Sequence, residues 1–117
     1  MKMRIFIFGL LIMLTATAAL FAGSIDIGAL KIPIFEGAAF DKKEYKQDGR
    51  IAVSVYSVKK SLNEVISFYE KYLKENNFIV IGGRSGAGFD AAAKKDNTMF
   101  TLKIYYANQK TIIQFIW

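Results

Sequence analysis

The chain of 117 residues has no cysteine, no histidine and only one proline, Pro33. Without cysteine it forms no disulfide, offers no thiol nucleophile and lacks the residue at which bacterial lipoproteins are lipidated. Because histidine is missing as well, Ser-His-Asp catalysis and the usual zinc, copper, iron and haem sites are excluded. A folded domain of this chain must therefore be held together by packing alone.

Charge is almost absent from the first 25 residues. Lys2 and Arg4 are basic, and the next charged residue is Asp26. Residues 5–14 form an apolar run, and residues 15–23 are mostly small. A basic head, an apolar middle and a small-residue end are typical of a bacterial export signal, so we expect the rest of the chain to lie outside the cytoplasm.

Two fates of this N-terminal segment are open. As a signal peptide, residues 1–22 would be removed by cleavage after Ala22, or the cut would follow Ala18. As a retained anchor, residues 5–25 carry no charge and are long enough to cross a bilayer. The basic residues stay cytoplasmic in both cases, so residues 23–117 are expected to form one small periplasmic or extracellular domain, free or anchored to the inner membrane.

The predicted domain is moderately basic. Residues 1–22 hold two of the 16 basic residues and none of the ten acidic ones, which leaves 14 against 10, a net charge of +4. A surplus of this size is typical of an ordinary soluble surface. Lysine doublets at 42–43, 59–60 and 94–95 leave binding to a membrane surface or a polyanion as an alternative. They contain no interleaved aromatic residues, so nucleic-acid binding is not predicted.

Alternating apolar residues predict a sheet. Asp48-Gly49 is a hairpin signal, and it precedes an alternating run at 50–58. Similar runs at 98–106 and 111–117, and a shorter one at 89–93, predict further strands.

Other segments are less regular. Residues 24–39 are expected to be extended, because Pro33 would remove a helical hydrogen bond. Residues 40–47 are polar and charged, and the apolar run at 78–81 predicts a short buried strand. Residues 82–97 show the least regular pattern.

One amphipathic helix is predicted in the middle of the chain. Ser61 and Glu64 have the spacing of a capping box, and Asn76-Asn77 is expected to end the helix. Glu70 and Lys74 are placed to form an ion pair four residues apart. The apolar stripe consists of Leu62, Val65, Ile66, Tyr69, Tyr72 and Leu73, with Phe68 at its flank.

These elements predict an α+β domain, in which one amphipathic helix packs on a mainly antiparallel sheet of four to five strands. The strands at 50–58 and 78–81 flank the helix, so we expect them to be parallel neighbours through a right-handed crossover. Helical spacing also indicates that Phe68, Tyr69 and Tyr72 belong to the core and do not form an aromatic binding surface.

The glycine-rich stretch at 82–90 matches a phosphate loop only in part. Gly83 and Gly88 have the required spacing, but Phe89-Asp90 stands where Lys and Ser/Thr would bind phosphate and Mg²⁺. A dinucleotide fingerprint is incomplete as well, because Ala91 takes the place of its third glycine. We interpret the stretch as a flexible connection between two strands.

Few residues remain as candidates for a site. If a ligand binds, the glycine-rich stretch with Arg84, Lys94 and Lys95 is the place to look. Asp90 and Asp96 are the only acids in the C-terminal third of the chain, and both are expected in turns. A glycosidase-type pair of carboxylates is therefore a weak hypothesis. The sequence predicts no catalytic, cofactor-binding or metal-ligating residue.

Several structural residues resemble those of a loose group of small exported bacterial proteins of unknown function. The group has a Pro-x-aromatic-x-Gly-Ala segment after its signal, similar to residues 33–38 here, and a helix with a Phe-Tyr pair, similar to Phe68-Tyr69. Asn77-Phe78 after the helix extends the likeness, whereas Glu36 stands where the group often has proline. The resemblance implies the predicted fold and export, and it implies no activity or site residue.

The function expected from the sequence is that of a non-enzymatic exported envelope protein, which binds or helps to organise another component of the bacterial envelope. A module that binds a membrane surface or a polyanion is the second hypothesis, and an enzyme using carboxylates is the third. No cofactor is expected, and membrane association through residues 5–25 depends on their being retained.

The first testable prediction concerns processing of the N-terminus. Expression in a bacterial host should give a mature protein that begins near Gly23, because a basic head and an apolar run precede a small-residue end that closes with Ala22. Intact-mass measurement of the exported protein checks this. A membrane-bound species that still carries residues 1–22 would show that the segment is an anchor.

Overall fold

The computed structural model describes residues 21–117. Most of the predicted export segment lies outside these residues. The described chain forms one helix and eight strands. In chain order they are β1 (Phe21–Ile27), β2 (Leu30–Phe35), β3 (Ala39–Lys46), β4 (Ile51–Val58), α1 (Leu62–Glu75), β5 (Ile79–Ser85), β6 (Gly88–Lys95), β7 (Thr98–Ala107) and β8 (Lys110–Ile116).

Six of the strands form one antiparallel sheet in the order β3-β4-β8-β7-β6-β5, and β1 and β2 form a separate antiparallel hairpin. The helix lies over β6 and β7. It shares a core with the β1–β2 hairpin and with one face of the six-stranded sheet. The α+β class is confirmed, whereas the prediction of four to five strands was too low.

The three additional strands, β1, β2 and β3, come from segments without a clear alternating pattern. Residues 24–39 are extended, as predicted, but they fold back on themselves as the β1–β2 hairpin at Gly28, whose φ of +58° suits glycine. Residues 40–47 lack apolar alternation because nearly all of β3 is exposed. The predicted turn at Asp48-Gly49 joins β3 to β4, which makes β3 an edge strand.

The strongly alternating segments are strands, as predicted. On β7, Phe100, Leu102 and Ile104 are fully buried beneath the helix and hairpin. On β8, Ile113 and Phe115 stand directly opposite Ile104 and Leu102, so the same face continues across both strands. Alternation of period two therefore placed the correct side chains in the core.

The helix begins and ends where its capping residues predict. The Ser61 Oγ accepts a hydrogen bond of 3.1 Å from the Glu64 amide, while the reciprocal bond of a full capping box is absent from the described residues. At the other end Asn77 has a φ of +60°. Its amide donates to the Lys74 carbonyl, and the Phe78 amide donates to the Leu73 carbonyl, which is the Schellman arrangement.

The prediction for residues 78–81 was wrong in two respects. β5 is the outermost strand of the sheet, separated from β4 by β8, β7 and β6. Ile79, Val80 and Ile81 are 66%, 40% and 73% exposed, so the strand is not buried. A short apolar run indicates a buried strand only if another layer covers it. Here α1 lies over β6 and β7, and the chain after the helix forms β5 at the edge of the sheet, which the helix does not cover.

Tyr69 is the central residue of the core. Its side chain is completely buried, with its ring 4.9 Å from that of Phe68 and 5.9 Å from that of Phe115. The hydroxyl donates a hydrogen bond of 2.9 Å to the Pro33 carbonyl and accepts one of 3.1 Å from the Phe35 amide. The helix is therefore tied to β2 by directed bonds as well as by packing.

Truncation of Tyr69 should destabilise the fold. Tyr69→Ala removes a buried aromatic ring and should cost about 3–5 kcal/mol, and Tyr69→Phe should cost about 1–3 kcal/mol because it leaves two buried backbone groups of β2 without a partner. Lys71→Ala, on the exposed face of the same helix, should change stability by no more than about 0.5 kcal/mol. Urea unfolding checks all three, and a parent-like Tyr69→Ala would show that the core is assigned wrongly.

Alkaline pH gives a second measurement on the same residue. Burial raises the pKa of Tyr69 in the folded protein. Above the ordinary tyrosine pKa of about 10 the unfolded chain releases this proton while the folded protein keeps it, so stability is complete below that pH and falls above it. Burial also raises the pKa of Tyr56 and of Tyr72. The fall in stability at alkaline pH should therefore persist in Tyr69→Phe, with a shallower slope.

Candidate functional site

A groove of about 320 Å³ runs between α1 and the edge strand β5. Its lining is mainly apolar and combines side chains of the helix, the segment after it, β5 and β6. The lining residues are Glu70, Leu73, Lys74, Phe78, Val80, Gly82, Gly83 and Phe89. Helix and strand thus form two walls of a cleft that is open at the edge of the sheet.

Two glycines of β5, Gly82 and Gly83, line this groove. A Cβ atom on Gly82 would lie 2.5 Å from the Asp90 carbonyl oxygen, and its φ of +107° is one that other residues rarely adopt. The backbone of β5 therefore approaches β6 closely at this point. A side chain at Gly82 would collide with the β6 backbone, so this position of the groove wall is restricted to glycine.

The two edges of the six-stranded sheet differ in chemistry. On β3 the edge carries Asp41, Lys42, Lys43, Glu44 and Lys46, and the register is interrupted between Phe40 and Lys42. Charged residues and bulges of this kind discourage pairing with another strand. The β5 edge instead has the exposed run Ile79–Ile81 and no register shift against β6. It is the unprotected edge.

Arg84 is the one charged residue of β5, and it points back over the helix. Its Nη2 and Nε atoms donate to the Glu70 carboxylate at 2.9 to 3.2 Å, and these bonds raise the pKa of Arg84. Nη1 donates to the Asn63 Oδ1 at 2.8 Å, and Nη2 also donates to the Ser67 Oγ at 3.1 Å. The guanidinium is therefore engaged by the protein itself.

This cluster corrects two predictions. Glu70 forms its ion pair with Arg84, and no pair with Lys74 occurs in the described residues. The structure does not bring Arg84 together with Lys94 and Lys95 as a ligand site either, because Arg84 lies opposite Phe89 near one end of the β5–β6 hairpin and Lys94 lies opposite Ile79 at the other. Glu70 pairs with Arg84 of the strand and not with Lys74 on the next turn of its own helix, because the packing of α1 on the sheet brings Arg84 within hydrogen-bond distance.

The glycine-rich stretch is a regular hairpin, where a flexible connection was predicted. Gly82 to Ser85 pair with β6, and the chain turns at Gly86-Ala87. Asp90 lies within β6 and not in a turn, 3.9 Å from the Lys103 Nζ. Asp96 is in the β6–β7 turn, with a φ of +55°. At about 3.3 Å per residue the two acids are about 16 Å or more apart along the strand, which is too far for a carboxylate pair.

The lysine doublets are not all in turns. Lys42 is paired with Glu44 at 2.9 Å, and Lys43 lies over the rings of Tyr45 and Trp117. The 94–95 doublet is in β6, with Lys95 over the ring of Phe78. Only the doublet at 59–60 follows a strand end.

The doublet at 59–60 and the first residue of β5, Ile79, lie at opposite ends of the sheet. Lys59 and Lys60 line one shallow depression with Tyr106, and Lys59 and Lys110 line another beside it. Three lysines and an exposed aromatic ring therefore gather at this end. The sequence did not predict this grouping, because Lys110 is 50 residues from Lys60.

Comparisons of the chain with protein-family models, with curated proteins and with solved structures find no match. Within residues 21–117 no helix has the length and apolar character needed to cross a membrane. In the same residues no three or more acids are grouped in a way that could hold a metal ion.

Sequence reasoning pointed to the glycine-rich stretch, of which Gly82, Gly83 and Phe89 line the groove, but it missed the helix side of the groove and the exposed edge. The signal was the order of residues in Ile79 to Gly83, where three β-branched residues are followed by two glycines. Such a run is compatible with a buried strand or with an edge, and only the position of the helix distinguishes them.

The Arg84 cluster gives a prediction about local stability. Arg84→Ala should leave the fold intact and speed amide hydrogen exchange in β5, because it removes every side-chain bond between this edge strand and α1. Arg50→Ala, in the exposed β3–β4 turn, is the matched control and should leave β5 unchanged. If exchange in β5 is the same in both variants, Arg84 does not hold the strand.

Proposed function

We propose that this protein is a non-enzymatic exported module of the bacterial envelope, which binds another envelope component through the α1–β5 groove and the β5 edge. The observation that carries the proposal is the exposed run Ile79–Ile81 on an edge strand that has no bulge and whose one charged residue, Arg84, is paired with Glu70 of the helix. An edge of this kind is a template for another chain. Retaining it in a domain of about 95 residues is costly unless it is used.

The energetics favour a bound state for this edge. Ile79 and Ile81 lie on the outer face of the sheet and Val80 on the helix side, because Val80 stands opposite the buried Ala93. Both faces of the strand therefore carry apolar surface that water reaches. Covering it contributes about 25 cal/mol for each Å² of apolar area removed from water. Hydrogen bonds between the β5 backbone and a partner strand would fix the orientation of that partner.

Export is supported by the N-terminal pattern and by the likeness of residues 33–38 and Phe68-Tyr69 to small exported bacterial proteins. The structure gives those residues a purely structural part. Pro33 and Phe35 bind the Tyr69 hydroxyl, and the rings of Phe35 and Phe68 are 5.3 Å apart. Their role in a shared fold is thus explained by packing, while the binding surface lies elsewhere.

A second function has its own observation. Lys59, Lys60 and Lys110 gather beside the exposed ring of Tyr106 and form no ion pair in the described residues. Such a group would attract anionic headgroups or a polyanion, with an attraction that salt weakens. This end of the sheet is the place where the membrane-surface alternative would act.

A photo-crosslinking amino acid tests both functions in living cells. Placed at Ile81 it should capture an envelope component, and placed at Tyr106, which is also a large exposed side chain, it should capture none. Binding of the parent to anionic vesicles should be absent. If capture occurs only from Tyr106, and vesicle binding is lost in high salt and in Lys59→Ala, the second function replaces the first. Retention of the protein in the cytoplasm would contradict export.

A further inference from the structure

We infer that β5 accepts an extended peptide segment of the partner as a seventh strand of the sheet. An apolar side chain of that segment enters the α1–β5 groove, and an acidic side chain lies beside Lys74. This inference rests on the proposed function, since it specifies the chemistry of the partner at the same site. It follows from the backbone of the edge, the shape of the groove and the charges around it.

The backbone of β5 is suited to strand addition. All seven residues from Ile79 to Ser85 pair in unbroken register with β6. A strand that pairs on one side presents alternate N–H and C=O groups on its other side. An incoming strand can satisfy those of Ile79 to Ile81, which precede the departure from extended geometry at Gly82, where φ is +107°. The β3 edge is interrupted and charged, so the two edges of this sheet are not equivalent for such a partner.

The groove provides the specificity that backbone pairing lacks. Alternate side chains of an added strand point to the helix side and to the outer face. On the helix side they meet Leu73, Phe78 and Phe89. A large aliphatic or aromatic residue is therefore selected at that position. On the outer face the neighbouring side chains are Ile79 and Ile81, which favour a second apolar residue.

The charges of the groove select for an acid. Glu70 is neutralised by Arg84 at 2.9 Å, whereas Lys74 lines the groove and forms no ion pair in the described residues. Lys94, opposite Ile79 on the outer face, has no ion pair there either. A lysine is therefore available to a ligand on each face of the strand: Lys74 on the helix side and Lys94 on the outer face. A carboxylate next to the apolar residue complements this arrangement.

A second copy of the chain is the competing occupant. The run Ile79–Ile81 is symmetric about Val80, so two β5 strands could pair antiparallel about that residue. That pairing would place two copies of Lys74 and two of Lys94 around one short strand pair, and β5 itself carries no acid to offset them. Like charges across an interface oppose association. A peptide that brings its own carboxylate has no such penalty, and we therefore favour it.

Random nonapeptides displayed on phage are the probe, selected against the purified protein. We expect enriched sequences in which apolar residues alternate and an Asp or Glu adjoins one of them. A synthetic peptide of the enriched sequence should bind the parent. The same peptide with every second amide N-methylated should bind at least tenfold more weakly, because it cannot complete the backbone pairing.

Two variants locate the peptide on the protein. Ile81→Lys should lower its affinity at least tenfold, whereas Met99→Lys, an equally exposed position on the outer face of β7, should not change it. Lys74→Glu should weaken the acidic peptide about threefold to fivefold and strengthen its Asp→Lys counterpart, as expected for an exposed ion pair. The exchange of preference cannot result from unfolding, so it keeps the test valid if another variant is unstable.

Three results would overturn the inference. The first is selection that enriches no sequence, and the second is a peptide that Ile81→Lys still binds with parental affinity. The third is dimerisation of the parent that Ile81→Lys abolishes, which would make a second copy the occupant. The proposed function is judged separately by cross-linking: if Ile81 still captures an envelope component while no peptide binds, the binding module stands and strand addition is wrong.

Discussion

The hydroxyl group of Tyr69 connects the parts on which the rest of the structure depends. An isolated two-stranded hairpin is at best marginally stable in water, and β1–β2 is such a hairpin. Tyr69 supplies a donor to the Pro33 carbonyl and an acceptor to the Phe35 amide from inside the helix stripe. Helix and hairpin thereby become one layer over the sheet, and the aromatic contacts from Phe68 to Phe115 continue that layer into the sheet.

The position of this layer explains why β5 is exposed. Because α1 lies over β6 and β7, β5 projects beyond it as an incompletely covered edge. Gly82 lines the strip between helix and strand, and the Arg84–Glu70 pair joins the strand to the helix near the C-terminal end of β5. The molecule thus has one edge, β3, that is charged and interrupted, and one edge, β5, that carries exposed apolar residues. The opposite end of the sheet, with Lys59 and Lys110, is a distinct and basic surface.

Predictions from the sequence succeeded where a pattern is local and repeated. The stripe of α1 and the alternation of β7 and β8 each report a face that is buried along its whole length, and the caps at Ser61 and Asn77 depend only on their immediate neighbours. They failed where one residue or strand has a choice of partners. Glu70 pairs with Arg84, where Lys74 was predicted. The charged segment of β3 is a strand because it pairs with β4.

The sequence by itself determined an α+β domain without thiol or imidazole chemistry, its single helix, its main core strands and the pattern of an export signal. The tertiary structure alone decided that β5 lies at the edge, that Asp90 and Asp96 stay apart, and that a groove opens beside Val80. The physical reason is that apolar periodicity indicates which side chains gain free energy by burial, while the position of the helix on the sheet determines which of them are buried.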